Sequence, residues 1–205
     1  MSGSTISPLL FCACCMGSIL AAAMTDPAFS LRPASLADLD VLLPLAEHTF
    51  RAAFEHLNDP ADFNAYCREA FRRPRFEQEM SHPESAFWLA YWEGQVAAYL
   101  KLNFDRNPPE LAGEKTVNVE RLYVHPQVQG RRVGERLLEF SYQVAQRRNT
   151  DWVWLTVWQE NPAAVRFYER HGYEKCGTKV FQLGDDAQTD WLMRKRVTAP
   201  QTQQS

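Results

Sequence analysis

The chain has 205 residues, of which 45% are hydrophobic and 23% are charged, and its formal net charge is −3. A chain of this length can bury a core as one domain without disulfides or a structural metal. The near-neutral charge argues against electrostatic binding of nucleic acid, and no apolar run reaches the ~18 residues of a confident membrane span. We therefore expect a globular protein with neither a nucleic acid nor a membrane as partner.

Residues 1–23 differ from the rest of the chain because they contain no Lys, Arg, Asp or Glu. Their apolar run resembles the core of a signal peptide, but no basic residue precedes it. Three interpretations stay open: an export signal, a disordered or weakly membrane-seeking tail, and a wrongly assigned gene start. We favour the wrong start, in which the protein begins at Met24.

The five cysteines do not indicate a disulfide framework or a metal site. Cys12, Cys14 and Cys15 lie in the charge-free segment, which leaves only Cys67 and Cys176 in the rest of the chain. Their spacing matches no zinc pattern with a partner His or Cys nearby. We expect reduced cysteines and no bound metal.

The first half of the chain begins with helical signals and continues with strands. Ser35 and Asp38 form a capping box before an apolar helical repeat, and Asp59-Pro60 is a second helix start. Residues 74–80 predict another turn or two of helix. Three segments rich in aromatic and β-branched residues then predict strands over 86–92, 95–104 and 116–124, with a tight hairpin turn at Glu93-Gly94.

The second half alternates helices and strands. A helix with one apolar face follows Pro126, and residues 152–158 predict a strand before a helix over 162–171. Residues 174–183 and 188–196 predict a final strand pair. This order indicates an α/β or α+β layer fold around a mixed sheet, with one domain over 24–197 and a disordered tail over 198–205.

The segment 122–138 reads as a strand, a Pro-containing turn, a loop rich in Gly and Arg, and a helix. The amides and the positive dipole end of a helix N-terminus suit a phosphate. Gly130 and Gly134 allow close backbone approach, and Arg131 and Arg132 add positive charge. The loop is neither a Walker loop nor a dinucleotide fingerprint, so an ordinary helix start is the alternative.

A second motif follows the next strand, and the two together resemble the GCN5-related N-acetyltransferase (GNAT) superfamily. The pattern Gln/Arg-x-x-Gly-x-Gly/Ala falls on residues 129–134. The pattern Asn-x-x-Ala-x-x-Phe-Tyr-Glu-x-x-Gly-Phe/Tyr falls on residues 161–173. The resemblance extends over about residues 30–197. It has one departure, because Arg132 occupies the first glycine position of the loop pattern.

The resemblance implies an α/β (α+β) GNAT fold with a mixed, mostly antiparallel central sheet and helices on both faces. It also implies a splayed parallel strand pair, formed by the strands ending at Val124 and Trp158, whose unpaired edges would dock the pantetheine arm of acetyl-CoA. Acetyl-CoA is thus the implied co-substrate, and no metal is implied.

The resemblance also assigns roles to residues. Tyr168 is the proton donor to the leaving sulfur, and Glu120 is a base that acts directly or through water. A core aromatic and a solvated strand carboxylate are the respective alternatives. The amide of Val124 donates to the thioester oxygen, and Asn161 holds the pantetheine or adenine end. The cofactor-binding residues are Leu122, Tyr123, Val124, Gln129, Gly130, Arg131, Arg132, Val133, Gly134, Glu135, Asn161 and Tyr168.

Three further stretches resemble the bacterial spermidine/spermine N-acetyltransferase branch, most specifically the run Gly-Asp-Asp-x-Gln-Thr-Asp over 184–190. A flexible polycation calls for carboxylates and aromatic faces. The carboxylate candidates are Glu47, Glu120, Asp185, Asp186 and Asp190, with Phe50 and Phe54 as walls. Gly-Asp-Asp is also an ordinary turn sequence, and the two phenylalanines have the spacing of core residues.

The resulting hypothesis is an acetyl-CoA-dependent N-acetyltransferase that acts on a primary amine of a small polycationic substrate, a polyamine such as spermidine or spermine. We expect a cytoplasmic protein, and the sequence leaves a homodimer open. An enzyme that acetylates a protein N-terminus, a lysine or an antibiotic is the alternative within the same class. An acyl-CoA-binding regulatory module without turnover is the alternative from another class.

Overall fold

The computed structural model describes residues 26–184 and 186–198. The predictions for residues 1–23, Asp185 and most of the C-terminal tail therefore lie outside the described residues. Within them the helices are α1 (Leu39–Phe54), α2 (Pro60–Ala70), α3 (Arg73–Ser81), α4 (Val133–Arg147) and α5 (Pro162–Arg170). The strands are β1 (Phe29–Pro33), β2 (Ser85–Trp92), β3 (Gln95–Asn103), β4 (Thr116–Val124), β5 (Trp152–Trp158), β6 (Glu174–Leu183) and β7 (Asp186–Arg196).

Both predicted helix starts are confirmed, and local hydrogen bonds explain them. The Ser35 N–H donates to the Asp38 carboxylate at 2.8 Å, and a 3₁₀ turn leads from there into α1. The Asp59 carboxylate accepts hydrogen bonds from the N–H groups of Ala61 and Asp62, with Pro60 at the first position of α2. Each carboxylate thus satisfies N–H groups that a helix start would otherwise leave unpaired.

The strands form one seven-stranded sheet in the order β1-β2-β3-β4-β5-β7-β6. Every neighbouring pair is antiparallel except β4 and β5, which are parallel. The predicted mixed, mostly antiparallel sheet is therefore confirmed. At the predicted hairpin turn, Glu93 and Gly94 have φ values of +50° and +77°, the pair of left-handed conformations of a type I′ turn.

Strand β1 is not predicted from the sequence. Its five residues pair with β2 at the edge of the sheet and bury Phe29 and Leu31. The alternation of apolar and polar residues in β1 is too short to predict a strand. Arg32 and Pro33 also end the apolar pattern, although proline is tolerated in an edge strand. Strand β7 also begins at Asp186, two residues before the predicted start.

Helices cover both faces of the sheet, as expected. Helix α4 packs against the face that carries Trp88, Leu100 and Val153. Helices α1 and α3 pack on the opposite face, which carries Leu89 and Tyr99. The predicted apolar face of α4 is buried in full: Leu137, Leu138, Ser141, Val144 and Ala145. No helix in the described part of the chain is long and apolar enough to cross a membrane.

The parallel strands β4 and β5 separate after a short pairing. Their register runs only from Thr116 opposite Trp152 to Asn118 opposite Trp154. Strand β4 has a β-bulge where the two strands separate. Lys101 and Leu102 are consecutive in β3, but Glu120 lies as an extra residue between their partners in β4. A bulge bends its strand and increases its twist. The predicted splayed pair is therefore present, and it opens a gap between the C-terminal halves of β4 and β5.

Candidate active site

A cleft of about 1120 Å³ occupies the gap between β4 and β5 and continues across both sides of the sheet. Every residue to which the sequence assigned a catalytic or cofactor-binding role lines it, except Arg131, which is exposed. Helix α5 and the loop before α4 line one side. Helices α1 and α2 with β6 and β7 line the other.

The backbone of β4 presents hydrogen-bonding groups to this gap. The His125 N–H donates to the Ala97 carbonyl at 2.7 Å, which identifies the residues of β4 whose N–H groups point toward β3. Because antiparallel pairs alternate, the N–H groups of Leu122 and Val124 point away from β3 and toward the gap. The backbone of Tyr123 pairs with β3 instead, and its ring stacks on Tyr99 at a centroid distance of 5.7 Å.

The loop before α4 directs a set of amides at the cofactor side of the cleft. Gly130 has a φ of +81°, and the first hydrogen bond of the helix runs from the Arg136 N–H to the Arg132 carbonyl at 3.1 Å. By helix geometry, the N–H groups of residues 133–135 then have no intrahelical acceptor. They can bind an anion, as the phosphate-loop prediction requires.

Arg132 keeps the conformation of the glycine that it replaces in the loop pattern. Its φ is +62°, in the left-handed region, where a residue with a side chain is strained by about 1 kcal/mol. Its guanidinium pairs with Glu135 at 3.0 Å, so its charge stays at the start of α4. At Gly134, an added Cβ would lie 3.6 Å from the Val124 side chain, which shows how closely α4 packs on β4.

Helix α5 carries Tyr168 to the cofactor side of the cleft. The Asn161 side chain caps this helix by accepting a hydrogen bond from the Ala164 N–H at 3.1 Å. Burial raises the pKa of Tyr168 to about 12, so its hydroxyl keeps its proton at neutral pH. A hydroxyl in this state can donate a proton to an atom in the cleft.

The opposite wall is aromatic. The Phe54 ring lies 6.4 Å from Tyr123 and 6.2 Å from Trp158, so it connects the ends of β4 and β5. Phe50 is buried among Phe54 and its neighbours in α2. Both predicted walls therefore line the cleft, and Phe50 is a core residue as well.

Glu120 is held by several donors. Its carboxylate accepts hydrogen bonds from Lys101 at 3.0 Å, from Arg106 at 2.7 Å and from the Asn103 amide. Burial acts to raise the pKa of Glu120, but the charges of Lys101 and Arg121 outweigh it and lower that pKa. A general base works best with a pKa near the working pH, so these surroundings oppose the role that the resemblance assigns to Glu120. That role stays a prediction.

A buried charge network, which is not predicted from the sequence, lies beneath the bulge. Lys101, whose side chain is 1% exposed, pairs with Glu79 at 2.9 Å as well as with Glu120. Arg121 pairs with Glu79 at 2.7 Å. One signal was present in the sequence: Lys101 interrupts an otherwise apolar strand. Nothing marked Glu79, which comes from α3.

The network predicts a loss of stability in acid. Burial acts to raise the pKa of Glu79, but Arg121 and Lys101 hold it at about 2. In the unfolded chain Glu79 has an ordinary Glu pKa, so as the pH falls it is protonated in the unfolded chain before it is protonated in the folded one. The stabilisation from Glu79 is therefore complete above the ordinary Glu pKa and is lost as the pH falls toward 2. We expect Glu79 alone to lower the free energy of unfolding by about 2 kcal/mol between about pH 6 and pH 3. Urea unfolding at both pH values measures this.

Two variants on α3 serve as comparison. Glu79→Gln removes the titrating group, so its unfolding free energy should change less with pH than that of the wild type. Glu77→Gln changes a half-exposed carboxylate on the same helix and should keep the wild-type pH dependence. An equal pH dependence in Glu79→Gln and the wild type would contradict this assignment.

The remaining carboxylate candidates separate into two groups. Glu47 pairs with Arg51 at 2.9 Å, Asp186 accepts a hydrogen bond from Gln188, and neither lines the cleft. Asp190 lines the cleft and is partly buried. Asp185 lies outside the described residues.

Cations line the acceptor side as well. Arg75, Arg106 and Lys179 face the same cleft as Glu120 and Asp190. None of these three residues is predicted from the sequence, because they come from separate elements and share no motif. Among the residues that the structure describes, the acceptor side is therefore of mixed charge, without a strongly acidic entrance.

Comparison with known proteins agrees with this geometry. The family model described as the acetyltransferase (GNAT) family matches residues 50–173. An uncharacterized N-acetyltransferase from the pepI 3′ region of Lactobacillus delbrueckii subsp. lactis is 32% identical over 160 residues, which cover 78% of this chain and 92% of that relative. The spermidine N(1)-acetyltransferase of Thermoplasma acidophilum is 20% identical over 170 residues, with 81% and 96% of the two chains covered.

A solved structure shares the fold. The crystal structure of the PaiA N-acetyltransferase from Thermoplasma acidophilum in complex with coenzyme A superposes with a TM-score of 0.66 at 17% identity. The match covers 82% of this chain and 98% of that one. Taken with the family model and the first relative, these findings show that the chain belongs to the acetyltransferase (GNAT) family and is an acyltransferase enzyme.

Proposed function

We propose that this enzyme transfers the acetyl group of acetyl-CoA to a primary amine at the gap between β4 and β5. The observation that best supports this proposal is that the two sides of one cleft have different chemistry. The cofactor side has free amides and a protonated tyrosine, and the acceptor side has aromatic rings and carboxylates. Acetyl-CoA supplies an activated thioester when it is bound there.

The residues on the cofactor side fit that molecule. The amides of residues 133–135, with those of Gly130 and Arg132 in the preceding loop, bind the pyrophosphate at the start of α4. The N–H groups of Gln129 and Arg131 already donate to the Pro126 and Val128 carbonyls. The unpaired edge of β4 at Leu122 and Val124 hydrogen-bonds the pantetheine amides as an added strand would. The same Val124 N–H donates to the thioester oxygen as negative charge develops on it.

Tyr168 completes the reaction on the cofactor side. Its hydroxyl donates a proton to the leaving sulfur, which prevents the return of the thiolate to the acetyl carbon. Asn161 acts on this residue indirectly, because its cap fixes the start of the helix that carries Tyr168. The additional assignment of Asn161 to the pantetheine or adenine end stays a proposal.

A polyamine is the first acceptor to test. The relative named spermidine N(1)-acetyltransferase supports it, and so does Asp190 in the cleft beside the rings of Phe54 and Trp158. A second acceptor class is favoured by Arg106 and Lys179 on the same side. These cations suit an amine that also carries a carboxylate, such as an amino acid or peptide.

Thiol release from acetyl-CoA, measured across spermidine, spermine, amino acids and peptides with free N-termini, tests both statements. We expect amine-dependent release with at least one acceptor and the highest kcat/KM with spermidine or spermine. Turnover of peptides but not of polyamines would contradict the polyamine assignment. Binding of acetyl-CoA without turnover of any amine would contradict the transferase proposal and favour an acyl-CoA-binding module.

A further inference from the structure

Two carboxylates line the acceptor side of the cleft, and their surroundings differ. Glu120 accepts hydrogen bonds from three side chains and has ion pairs with Lys101 and Arg106. Asp190 has no ion pair within 4.0 Å among residues 26–184 and 186–198. An incoming ammonium therefore competes with cations already in place at Glu120, whereas at Asp190 it meets a carboxylate that has no such ion pair.

The position of Asp190 suits contact with an amine that reacts at the gap. It lies on β7 directly opposite Trp158, the last residue of β5. The Trp158 ring contacts Phe54, and Phe54 contacts Tyr123, which directly precedes Val124. Asp190 thus lies on the strand next to β5, one strand away from the gap, whereas the Val124 amide lies at the β4 border.

Few charged or titratable groups surround Asp190 in the described part of the chain. From β6, Lys179 lies directly opposite it. From β5 the neighbours are the Thr156 hydroxyl and the Trp158 indole, and the described cleft residues of α1 and α2 add no charge, only the Tyr66 phenol, whose pKa burial raises. Burial raises the pKa of Asp190, with Thr156 and Lys179 opposing it. This shift brings the carboxylate nearer to the range in which a base works well.

We propose that Asp190, and not Glu120, contacts the ammonium of the acceptor and accepts its first proton. The inference rests on the proposed transferase function. It assigns Glu120 to the charge network that fixes the bulge of β4, as a positioning residue.

The protons balance in this scheme. The Asp190 carboxylate takes one proton from the ammonium, and the freed nitrogen lone pair forms the C–N bond with the acetyl carbon. The C–S bond breaks, its electron pair stays on sulfur, and the sulfur takes the Tyr168 proton. The second nitrogen proton returns to the Tyr168 oxygen, and Asp190 releases its proton to water. One amine is acetylated, one thiol forms, and one proton is released.

The pH dependence of kcat/KM for the acceptor tests this role in the full-length chain. We expect the wild type to lose rate on the acidic side, where Asp190 is protonated. Asp190→Asn should lower kcat/KM about 100-fold, the lower range for a general base, and move the acidic limb from the carboxylate to the free amine, whose pKa is about 10. Its affinity for acetyl-CoA should equal that of the wild type.

Three variants complete the test. Asp186→Asn, which changes a carboxylate outside the cleft on the same strand, should match the wild type. Glu120→Gln should keep the acidic limb even where its rate and stability fall. Asp190→Glu retains a carboxylate and should keep the limb at reduced rate, which tests the role if Asp190→Asn folds poorly.

The outcomes separate this inference from the function on which it rests. A wild type that turns over no amine contradicts the transferase proposal. An active wild type whose Asp190→Asn variant keeps its rate or the wild-type position of the acidic limb overturns only the role of Asp190. If Glu120→Gln loses the acidic limb and Asp190→Asn keeps it, Glu120 is the base and Asp190 is not.

Discussion

Tyr168→Phe is expected to lower turnover about 100-fold or more while the affinity for acetyl-CoA stays within about twofold. The substitution removes only the hydroxyl that donates to the leaving sulfur and keeps the ring that packs beside Phe167 and Tyr173. Burial holds the pKa of this hydroxyl at about 12, so it is protonated over the whole working range and no acidic limb should arise from it. Steady-state thiol release gives the turnover, and a direct titration gives the affinity.

Tyr142→Phe is the matched control for this experiment. The Tyr142 hydroxyl contacts Arg196 and Thr198 at the surface, away from the cleft. Its loss should leave both turnover and affinity unchanged. If Tyr168→Phe and Tyr142→Phe turn over equally fast, Tyr168 has no part in the proton transfer.

Lys101→Met is expected to lower the free energy of unfolding by about 3 kcal/mol, the lower range for removing one partner of a buried ion pair. The ammonium is buried between Glu79 and Glu120 and lies 5.4 Å from the Phe87 ring centroid. Methionine fills a similar volume but leaves two carboxylates with less compensation. Arg121 and Arg106 still pair with them, which is why we expect the lower value. Urea unfolding at neutral pH measures the change.

Arg73→Met gives the comparison for an exposed ion pair. Arg73 pairs with Asp40 at the surface, where such pairs contribute little, so the change should stay within about 0.5 kcal/mol. Equal unfolding free energies for Lys101→Met and the wild type would show that the buried network adds nothing to stability.

The parts of the site that the sequence predicted are those whose signals are local. The turn, loop and helix start over 126–135 follow one another along the chain, and Asn161 caps the helix that carries Tyr168 within eight residues. Local geometry also explains the one departure from the loop pattern, because Arg132 adopts the conformation that glycine favours.

The rest depends on contacts between distant segments. Glu79 and Arg121 are 42 residues apart in sequence, and the hydrogen bonds between them exist only because α3 packs under the bulge of β4. The bulge itself rotates Glu120 toward Lys101 and Asn103, so a residue that reads as a candidate base becomes the centre of a charge network. No pattern in the sequence distinguishes Asp190 from Asp186, since only the register of β7 places one of them in the cleft.

The central claim is that the two sides of one cleft bring acetyl-CoA and an amine together where β4 and β5 separate. A crystal structure of the full chain with coenzyme A tests this most directly. We expect the pyrophosphate on the amides of Gly130 and residues 132–135, the pantetheine arm along Leu122 and Val124, and the sulfur within hydrogen-bond reach of the Tyr168 hydroxyl. Coenzyme A bound outside the gap, or with its sulfur away from Tyr168, would contradict it.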